Sequence, residues 1–399
     1  MEQSQRPLAG LTVIEFSHMV MGPVTGAVLA DLGARVIKVE PLGGDKTRGL
    51  NGSGAGYFSM YNRNKQSICI DLKSDEGREI ALGLIDQADV LIENFRQGAM
   101  ERLGFGWEAL RERNPRLVYC SLKGFLSGPY EQRTALDEVT QMMGGLAYMT
   151  GLPGKPMRAG SSVIDITGGM FGVIGILSAI EQRHETGRGQ KVSSSLFETT
   201  AFMMGQHMAQ EGVLGDPPQP MSVRRSAWSI YDIFECAEGA QLFVGVVSDS
   251  LWKAFCSAFE LHDLGNDAAL DTNNARVEQR TRIFEVIVPM FRSMTQEEAI
   301  DRLEQAGIPF APINSPSDLF DDPHLNAGGG LVAVTMNRGE RAGQALNLPA
   351  LPIEMSEQRF GVYQDLPAPG ENTRDVLSAF GFDEASVERW MLGGVVGGT

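Results

Sequence analysis

Short apolar runs alternate with helix-like segments along the first 123 residues of this 399-residue chain. The pattern predicts strands at residues 12–16, 35–40, 67–72, 89–94 and 116–123, and helices at 23–33, 74–87 and 107–113. Because strands that alternate with helices pair through crossover connections, the sequence predicts an α/β fold with a doubly wound parallel sheet. The first crossover contains no Gly-X-Gly-X-X-Gly motif, so a dinucleotide cofactor is not implied. Ligands are still expected in the loop 17–23, at the carboxyl end of the first strand.

A carboxylate in front of a long apolar segment is the second informative feature. Asp165 precedes Gly168, Gly169 and the nearly charge-free run 170–180, which predicts a buried helix that is too short to span a bilayer and that stops at Gly187. Free backbone N–H groups and the helix dipole favour a charged carboxylate at such a start, so Asp165 is either a capping residue or a functional one. Each glycine destabilises a helix start by about 1 kcal/mol relative to alanine. That cost is tolerable if the backbone or thioester of another molecule must come close.

The length of the chain predicts two domains, because 399 residues exceed what one core usually holds. The Pro-rich stretch at 215–220 is typical of a linker. After it, the sequence predicts a hairpin at 231–236 and 241–247 and helices at 251–260, 276–294 and 296–305. We therefore expect a large domain over 1–214, a linker over 215–220, a small α+β domain over 221–325, and a C-terminal segment over 326–399 with a closing helix from about Thr373.

Composition and charge exclude several classes of protein. The net charge is −16, and the first 133 residues carry equal numbers of both signs. No basic stripe is present, which disfavours nucleic-acid binding and leaves the first third as the plausible place for an anionic ligand. The N-terminus lacks the pattern of a secretory signal, and Cys69, Cys120, Cys236 and Cys256 are scattered without metal-ligand spacing. We expect a cytoplasmic protein with free thiols, no metal and no membrane segment.

Two motifs around the apolar helix carry a resemblance to a known family. Ala-Gly-Ser-Ser-Val-Ile-Asp-Ile-Thr-Gly-Gly-Met at 159–170 and Thr-Gly-Arg-Gly-Gln-Lys-Val at 186–192 resemble the core of the class III CoA-transferases, which include formyl-CoA transferase and carnitine CoA-transferase. Segments that agree with the family lie at 7–16, 22–23, 31–40, 62–65, 93–98 and 369–373. The resemblance covers nearly the whole chain and is weakest from about 195 to 330. It implies that the C-terminal segment returns to the large domain and that two chains interlock as a homodimer.

The resemblance also implies a chemistry and a set of residues. Asp165 corresponds to a nucleophile that forms a mixed anhydride and then a thioester, a route that needs no ATP. Coenzyme A is then a substrate in thioester form rather than a permanently bound cofactor, and a small carboxylic acid is the other substrate. Lysine and arginine among the binding residues could meet phosphates, although each is otherwise a solvated surface charge. The implied CoA-binding residues are His18, Met19, Val20, Met21, Ile70, Leu72, Lys73, Asn94, Phe95, Arg96, Arg102 and Arg133.

Leu136 distinguishes the transferase from related reactions. It lies where the α-methylacyl-CoA racemases of the same superfamily carry a histidine, and leucine cannot move a proton. A racemase or isomerase on the same fold is therefore disfavoured. A catalytically silent acyl-CoA binder is disfavoured as well, because Asp165 and its two glycines are present.

The acceptor acid is indicated by a weaker resemblance. Residues 141–151 are similar to family members that act on C4–C5 dicarboxylates such as mesaconate, itaconate or succinate, although Met142 and Met143 could simply be core residues. A formyl-CoA:oxalate-type transferase is the alternative. Against it, Pro41 and Val20 replace an arginine and an active-site glutamine of the formyl enzyme, and its tetraglycine loop has no counterpart near 224–228. Arg224 and Arg225 either hold a distal carboxylate or form an exposed basic pair.

Overall fold

The computed structural model describes residues 6–224 and 226–398. Within them the chain forms two compact units. The first runs to Ser222 and resumes at Pro323, while the second spans Val223–Asp322. The limits expected for the small domain, at 221 and 325, lie close to those of the second unit. The segment 215–220 belongs to the first unit.

The strands and helices are numbered along the chain. The strands are β1 (Thr12–Phe16), β2 (Arg35–Glu40), β3 (Lys65–Ile70), β4 (Val90–Glu93), β5 (Val118–Lys123), β6 (Lys191–Ser195), β7 (Ile230–Glu235), β8 (Gln241–Val246), β9 (Phe310–Pro312), β10 (Leu331–Thr335), β11 (Ala345–Pro349), β12 (Glu354–Met355), β13 (Gln358–Arg359) and β14 (Val396–Gly397). The helices are α1 (Met21–Asp31), α2 (Tyr57–Tyr61), α3 (Asp75–Ile85), α4 (Ala99–Leu103), α5 (Trp107–Arg113), α6 (Asp137–Met143), α7 (Leu146–Thr150), α8 (Val163–Thr186), α9 (Leu196–Leu214), α10 (Asp249–Ala258), α11 (His262–Gly265), α12 (Asn273–Glu278), α13 (Arg280–Arg292), α14 (Gln296–Gln305), α15 (Pro323–Ala327), α16 (Thr373–Ala379) and α17 (Glu384–Leu392).

A mixed, mostly parallel sheet forms the centre of the first unit, in the order β14–β3–β2–β1–β4–β5–β6. Val13 in β1 lies opposite Val36 in β2 and Val90 in β4, so the strand order reverses at β1. The prediction of a wholly parallel sheet is wrong at one edge, because Val396 in β14 lies antiparallel to Ile70 in β3. The end of the chain thereby pairs with an edge strand that would otherwise leave backbone groups unpaired.

Helices cover both faces of this sheet, which confirms the α/β class. Successive side chains of a strand point to opposite faces. Ile14 and Phe16 belong to a core that they share with α3, α16 and α17. Val13 and Val36 belong to a second core that they share with α1 and α8. Both faces of the central strands are therefore buried, which explains why apolar residues occupy successive positions in these strands, although Glu15 and Lys38 are buried among them.

The glycines of α8 serve the packing of the protein itself. A Cβ added at Gly169 would lie 2.7 Å from the carbonyl oxygen of Met21, and one added at Gly168 would lie 2.7 Å from the Met21 Cε. Gly172 and Gly175 meet Leu122 and Val192 in the same way. The expectation that Gly168 and Gly169 leave space for another molecule was therefore wrong, since that space is filled by α1.

Helix α8 is also longer than the apolar run that predicted it. It spans 24 residues, and it is the one helix of the described chain that is long and apolar enough to cross a membrane by length and composition. The prediction that the segment is too short to do so was wrong. A core helix of a large protein has the same properties, and the buried side chains of α8 pack against α1 and the sheet.

The second unit joins an antiparallel sheet to a layer of helices. The predicted hairpin is confirmed, with Ile230 opposite Val246 and Glu235 opposite Gln241. β9 adds a third strand beside β8. The helix predicted at 276–294 is two helices, α12 and α13, which meet at Gln279. The C-terminal segment of the first unit contributes the hairpins β10–β11 and β12–β13 before it reaches α16.

Candidate active site

The loops after β1 and β4 meet at the carboxyl edge of the sheet, where the strand order reverses. The Asn94 side chain joins them, because its Oδ1 accepts a hydrogen bond from the His18 backbone N–H at 3.0 Å and its Nδ2 donates to the His18 carbonyl at 2.8 Å. The rings of His18 and Phe95 lie 5.6 Å apart. This is the place in an open α/β sheet where ligands are expected.

Buried charged side chains support the loop at His18. Lys38 Nζ donates to the Ser17 carbonyl at 2.7 Å and forms an ion pair with Asp45 at 3.0 Å. The Met19 backbone N–H donates to Thr47 Oγ1 at 2.9 Å. Met19 has a φ of 62°, a left-handed conformation that is uncommon outside glycine and that needs such support. The loop is therefore fixed from two sides.

The surroundings of His18 favour the neutral form of its imidazole. Desolvation lowers the pKa of His18 below its ordinary value, the Asp45 carboxylate opposes this, and Lys38 and Arg96 lower the pKa further. Arg96 directly follows Phe95, whose ring lies 5.6 Å from that of His18, so the chain brings Arg96 near the His18 loop.

Asp165 lies in the first turn of α8, as its third residue. The N-cap is Ser162, whose side chain makes no capping hydrogen bond. A capping role for Asp165 itself is therefore wrong. Its carboxyl group is half-buried, and its pKa is raised to about 7, first by burial and then by the nearby charges of Asp137 and Glu138.

Packing between helices brings Asp165 to the same edge as the His18 loop. The first turn of α1 follows that loop directly, and Thr25 Oγ1 in α1 donates to the Gly169 carbonyl in α8 at 3.1 Å. Gly169 also lies against Met21. Because both helices begin at this edge, Asp165 and the loop at His18 lie at the same edge of the sheet.

Two groups of residues near Asp165 were missed by the sequence analysis. Asp137 accepts hydrogen bonds from the backbone N–H groups of Ile164 and Asp165, from a position 28 residues earlier in the chain. Tyr57 and Tyr61 in α2 form the second group. Tyr57 Oη lies 3.3 Å from Ser162 Oγ, and burial, then Tyr57 and Asp165, raise the pKa of Tyr61. The only signal in the sequence was the acidic residue directly after Leu136.

The predicted CoA-binding residues differ in their exposure. His18, Asn94, Phe95 and Arg96 come together at the reversal point. Met19 is exposed beside them, whereas Val20, Met21 and Ile70 are buried in the protein, where they offer little surface to a ligand. Leu72 is half-buried, and the exposed residues Lys73, Arg102 and Arg133 follow β3, β4 and β5, with the Arg133 guanidinium 4.0 Å from the ring centre of Tyr130.

The remaining residues singled out in the sequence are placed as follows. Leu136 precedes α6 and is 60% exposed, and Met142 and Met143 are exposed rather than part of the core. Arg224 is half-buried in the second unit, and Arg225 lies outside the described residues. The four cysteines are free and buried. Over residues 6–224 and 226–398, no group of three histidine, cysteine or acidic side chains could hold a metal ion.

Comparison with known proteins identifies the family. The sequence profile of CoA-transferase family III matches residues 8–373. The succinate–glutarate CoA-transferase of Agrobacterium fabrum is 32% identical, and the match covers 95% of this chain and 96% of that protein. The crystal structure of a CAIB/BAIF family protein from Brucella suis superposes with a TM-score of 0.80 at 31% identity, over 94% of this chain and 99% of that one. The chain belongs to the class III CoA-transferases, enzymes whose substrates are CoA thioesters.

Similarity alone does not select the acid. A formyl-CoA:oxalate CoA-transferase of Streptomyces avermitilis is 33% identical, with 93% of this chain and 94% of that protein covered. Its identity is about the same as that of the succinate–glutarate enzyme, although the two names specify different acids.

Proposed function

We propose that the protein transfers coenzyme A from an acyl-CoA to a carboxylic acid through a covalent intermediate on Asp165. The observation that carries this proposal is the state of the Asp165 carboxyl group. It lies half-buried at the ligand-binding edge of the sheet, and its raised pKa of about 7 arises from burial and like charges without a compensating hydrogen bond from any described residue. A carboxylate that is poorly stabilised in this way is a stronger nucleophile than an ordinary aspartate.

The exchange proceeds through alternating anhydrides and thioesters. The ionised Asp165 attacks the donor thioester carbonyl, and the CoA thiolate leaves as a mixed anhydride forms. The thiolate then attacks the Asp165 carbonyl, which releases the donor acid and leaves an aspartyl-CoA thioester. The acceptor carboxylate attacks this thioester, which expels the thiolate and forms a second anhydride. Attack of the thiolate on the acceptor carbonyl gives the new acyl-CoA and regenerates the Asp165 carboxylate.

The loop at His18 and the neighbouring cations are suited to hold the CoA moiety. Met19 and His18 are exposed at the reversal point, where they can contact the pantetheine arm and the thioester. Arg96 lies near the imidazole, so it can meet a phosphate at the same edge. Lys73, Arg102 and Arg133 are the further phosphate-binding residues of the proposal.

A C4–C5 dicarboxylate such as succinate, mesaconate or itaconate is the proposed acid, within one molecule or between two. The resemblance of residues 141–151 supports this choice, and the name of the Agrobacterium relative specifies a C4 and a C5 dicarboxylate. Met142, Met143 and Tyr148 are exposed on α6 and α7, where they are available to line an acceptor site. An oxalate-type transferase is the alternative, supported by the Streptomyces relative.

A second copy of the chain is the proposed partner, in an interlocked homodimer. Helices α8 and α9 expose a large apolar surface in the single chain, and the rings of Phe171 and Phe202 pack against each other on it at 5.4 Å. Phe202 is 73% exposed and Val213 is 82% exposed. Apolar surface of this kind marks an interaction site rather than a solvated face.

The proposed reaction is tested by exchange of CoA between a panel of acyl-CoAs and free acids, followed by mass spectrometry. Asp165→Ala is expected to keep the fold and the binding of CoA but to lose turnover, because it removes the carboxylate that forms the anhydride in the proposed reaction. Asp216→Ala removes an exposed aspartate of the same unit and serves as the matched control. An Asp165→Ala variant that keeps more than a small fraction of the control activity would contradict the proposal.

A further inference from the structure

The first turn of α8 is capped by a carboxylate from another helix. Asp137 Oδ2 accepts the backbone N–H of Ile164 at 2.8 Å and that of Asp165 at 3.0 Å. These N–H groups have no partner inside their own helix, and the Ser162 side chain does not cap them. Asp137 therefore binds the backbone of the very residue proposed as the nucleophile.

The second oxygen of Asp137 is fixed as well. Gln141 Nε2 donates to Asp137 Oδ1, while Gln141 Oε1 accepts the Ala159 backbone N–H at 2.8 Å. Gln141 is fully buried and Asp137 nearly so. Because both ends of this chain of hydrogen bonds are backbone groups, the Asp137 carboxylate cannot turn away without breaking several bonds.

This arrangement changes how the start of α8 affects the stability of the ionised Asp165 carboxylate. Free N–H groups and the helix dipole normally stabilise an ionised carboxylate in the first turn. Here Asp137 accepts two of those N–H groups and adds its own negative charge. Those two N–H groups are therefore not available to the Asp165 carboxylate, and the charge of Asp137 opposes its ionisation.

We propose that Asp137 is a positioning residue for the transfer reaction. It fixes the backbone of Asp165 and withholds from the Asp165 carboxylate the helix N–H groups that would stabilise it and make it less nucleophilic. This inference rests on the proposed function of Asp165, and its test has a readout that does not depend on turnover.

The other charged and titratable groups around the start of α8 lie on α6, α2 and α9. In α6, Glu138 forms an ion pair with Arg158. In α2, Tyr57 and Tyr61 are the titratable groups. In α9, the carboxylate of Glu198 accepts hydrogen bonds from Ser195 Oγ and the Leu126 N–H. The first turns of α1 contain no ionisable residue.

Three substitutions separate the two parts of the role. Asp137→Asn keeps an oxygen that can accept the N–H groups of α8 but removes the charge. Gln141→Met has a similar shape, keeps the charge of Asp137 and removes its tether. Glu138→Gln is the matched control, because it removes one charge from the adjacent residue of α6, which accepts no hydrogen bond from α8.

The direct readout is the pH dependence of carbodiimide labelling at Asp165, because the reagent reacts with the protonated carboxyl group. The full-length protein is labelled, and the extent of labelling is measured by peptide mass spectrometry. In the wild-type protein the labelling is expected to decline through about pH 7. We expect Asp137→Asn to lower this midpoint by about one pH unit, which is a tenfold change in the protonation equilibrium. Glu138→Gln should move it by less than half as much. Gln141→Met should leave the midpoint in place and lower kcat with little change in KM.

The outcomes distinguish this inference from the proposed function. An unchanged labelling midpoint in Asp137→Asn, or a shift no larger than that of Glu138→Gln, would overturn the role of Asp137 even if Asp165→Ala is inactive. A shifted midpoint together with an active Asp165→Ala variant would instead overturn the nucleophile. If Asp137→Asn does not fold, an unchanged kcat in Gln141→Met refutes the positioning role, and a reduced kcat with an unchanged midpoint supports it.

Discussion

Asp165 should make the folded protein less stable at neutral pH than an uncharged residue would. Its pKa is raised to about 7, whereas an aspartate in an unfolded chain has a pKa near 3.8. A group whose pKa is raised by folding contributes stability that is complete below the unfolded value and is lost as the pH rises through the folded value. Ionisation of Asp165 therefore costs stability between about pH 4 and pH 7, and Asp165→Asn removes that cost.

The magnitude follows from the two pKa values. A difference of about 3 pKa units corresponds to roughly 4 kcal/mol above pH 7, of which about 1.5 kcal/mol is already lost at pH 5. Because the carboxyl group is half-buried, solvent screening reduces these figures by about half. We expect Asp165→Asn to raise the free energy of unfolding by about 2 kcal/mol at pH 8 and by about 1 kcal/mol or less at pH 5.

Urea unfolding at pH 5 and pH 8, at one fixed protein concentration, measures this difference. Asp216→Asn is the matched control, because its side chain is exposed and its substitution should change stability little at either pH. If Asp165→Asn is no more stable than the wild-type protein at pH 8, or if the gain does not grow between pH 5 and pH 8, the carboxyl group is not destabilised in the way that the structure indicates.

Three further predictions concern the loop, the reaction and the assembly. Lys38→Met should destabilise the protein by about 3–5 kcal/mol, because it leaves Asp45 buried without its cation, and it should raise KM for the thioester. The control for both measurements is Arg111→Met, which breaks the exposed ion pair with Glu108 and should cost less than about 1 kcal/mol of stability. Because Leu136 cannot carry a proton, a 2-methylacyl-CoA incubated with the protein in heavy water should gain no deuterium at C2, and incorporation at the rate of turnover would argue for a racemase. Sedimentation at nanomolar concentration should show a dimer, because folding and association are coupled in an interlocked pair, and a folded, active species of about 43 kDa would refute this.

The strands of the large sheet were predictable because their signal is local. The bounds of β1 and β2 agree with those predicted, and β3 differs only by a two-residue offset, since each is a short segment rich in β-branched residues or ending in them. The strand β14 has no such signal. Val396–Gly397 is a two-residue strand, and it exists only because the end of the chain reaches the edge of β3.

The site was less accessible to sequence reasoning because its properties depend on distant contacts. The position of Asp165 at a helix start follows from the apolar run after it, but its raised pKa depends first on its burial and then on carboxylates that α6 brings to it. The bonds from Asn94 to His18 join residues that are 76 positions apart. Gly168 and Gly169 show the opposite case, in which a local pattern indicated a ligand while the fold uses it for packing against α1.

Identification of the covalent intermediate is the most direct test of the central claim. The protein is incubated with a donor acyl-CoA, treated with borohydride or hydroxylamine to convert an activated carboxyl group, digested, and analysed by mass spectrometry. The proposed mechanism predicts one modified residue, Asp165, whose modification requires the donor and disappears in Asp165→Asn but not in Asp216→Asn. A modification at another residue, or exchange of CoA at the full rate with no modified residue, would contradict it.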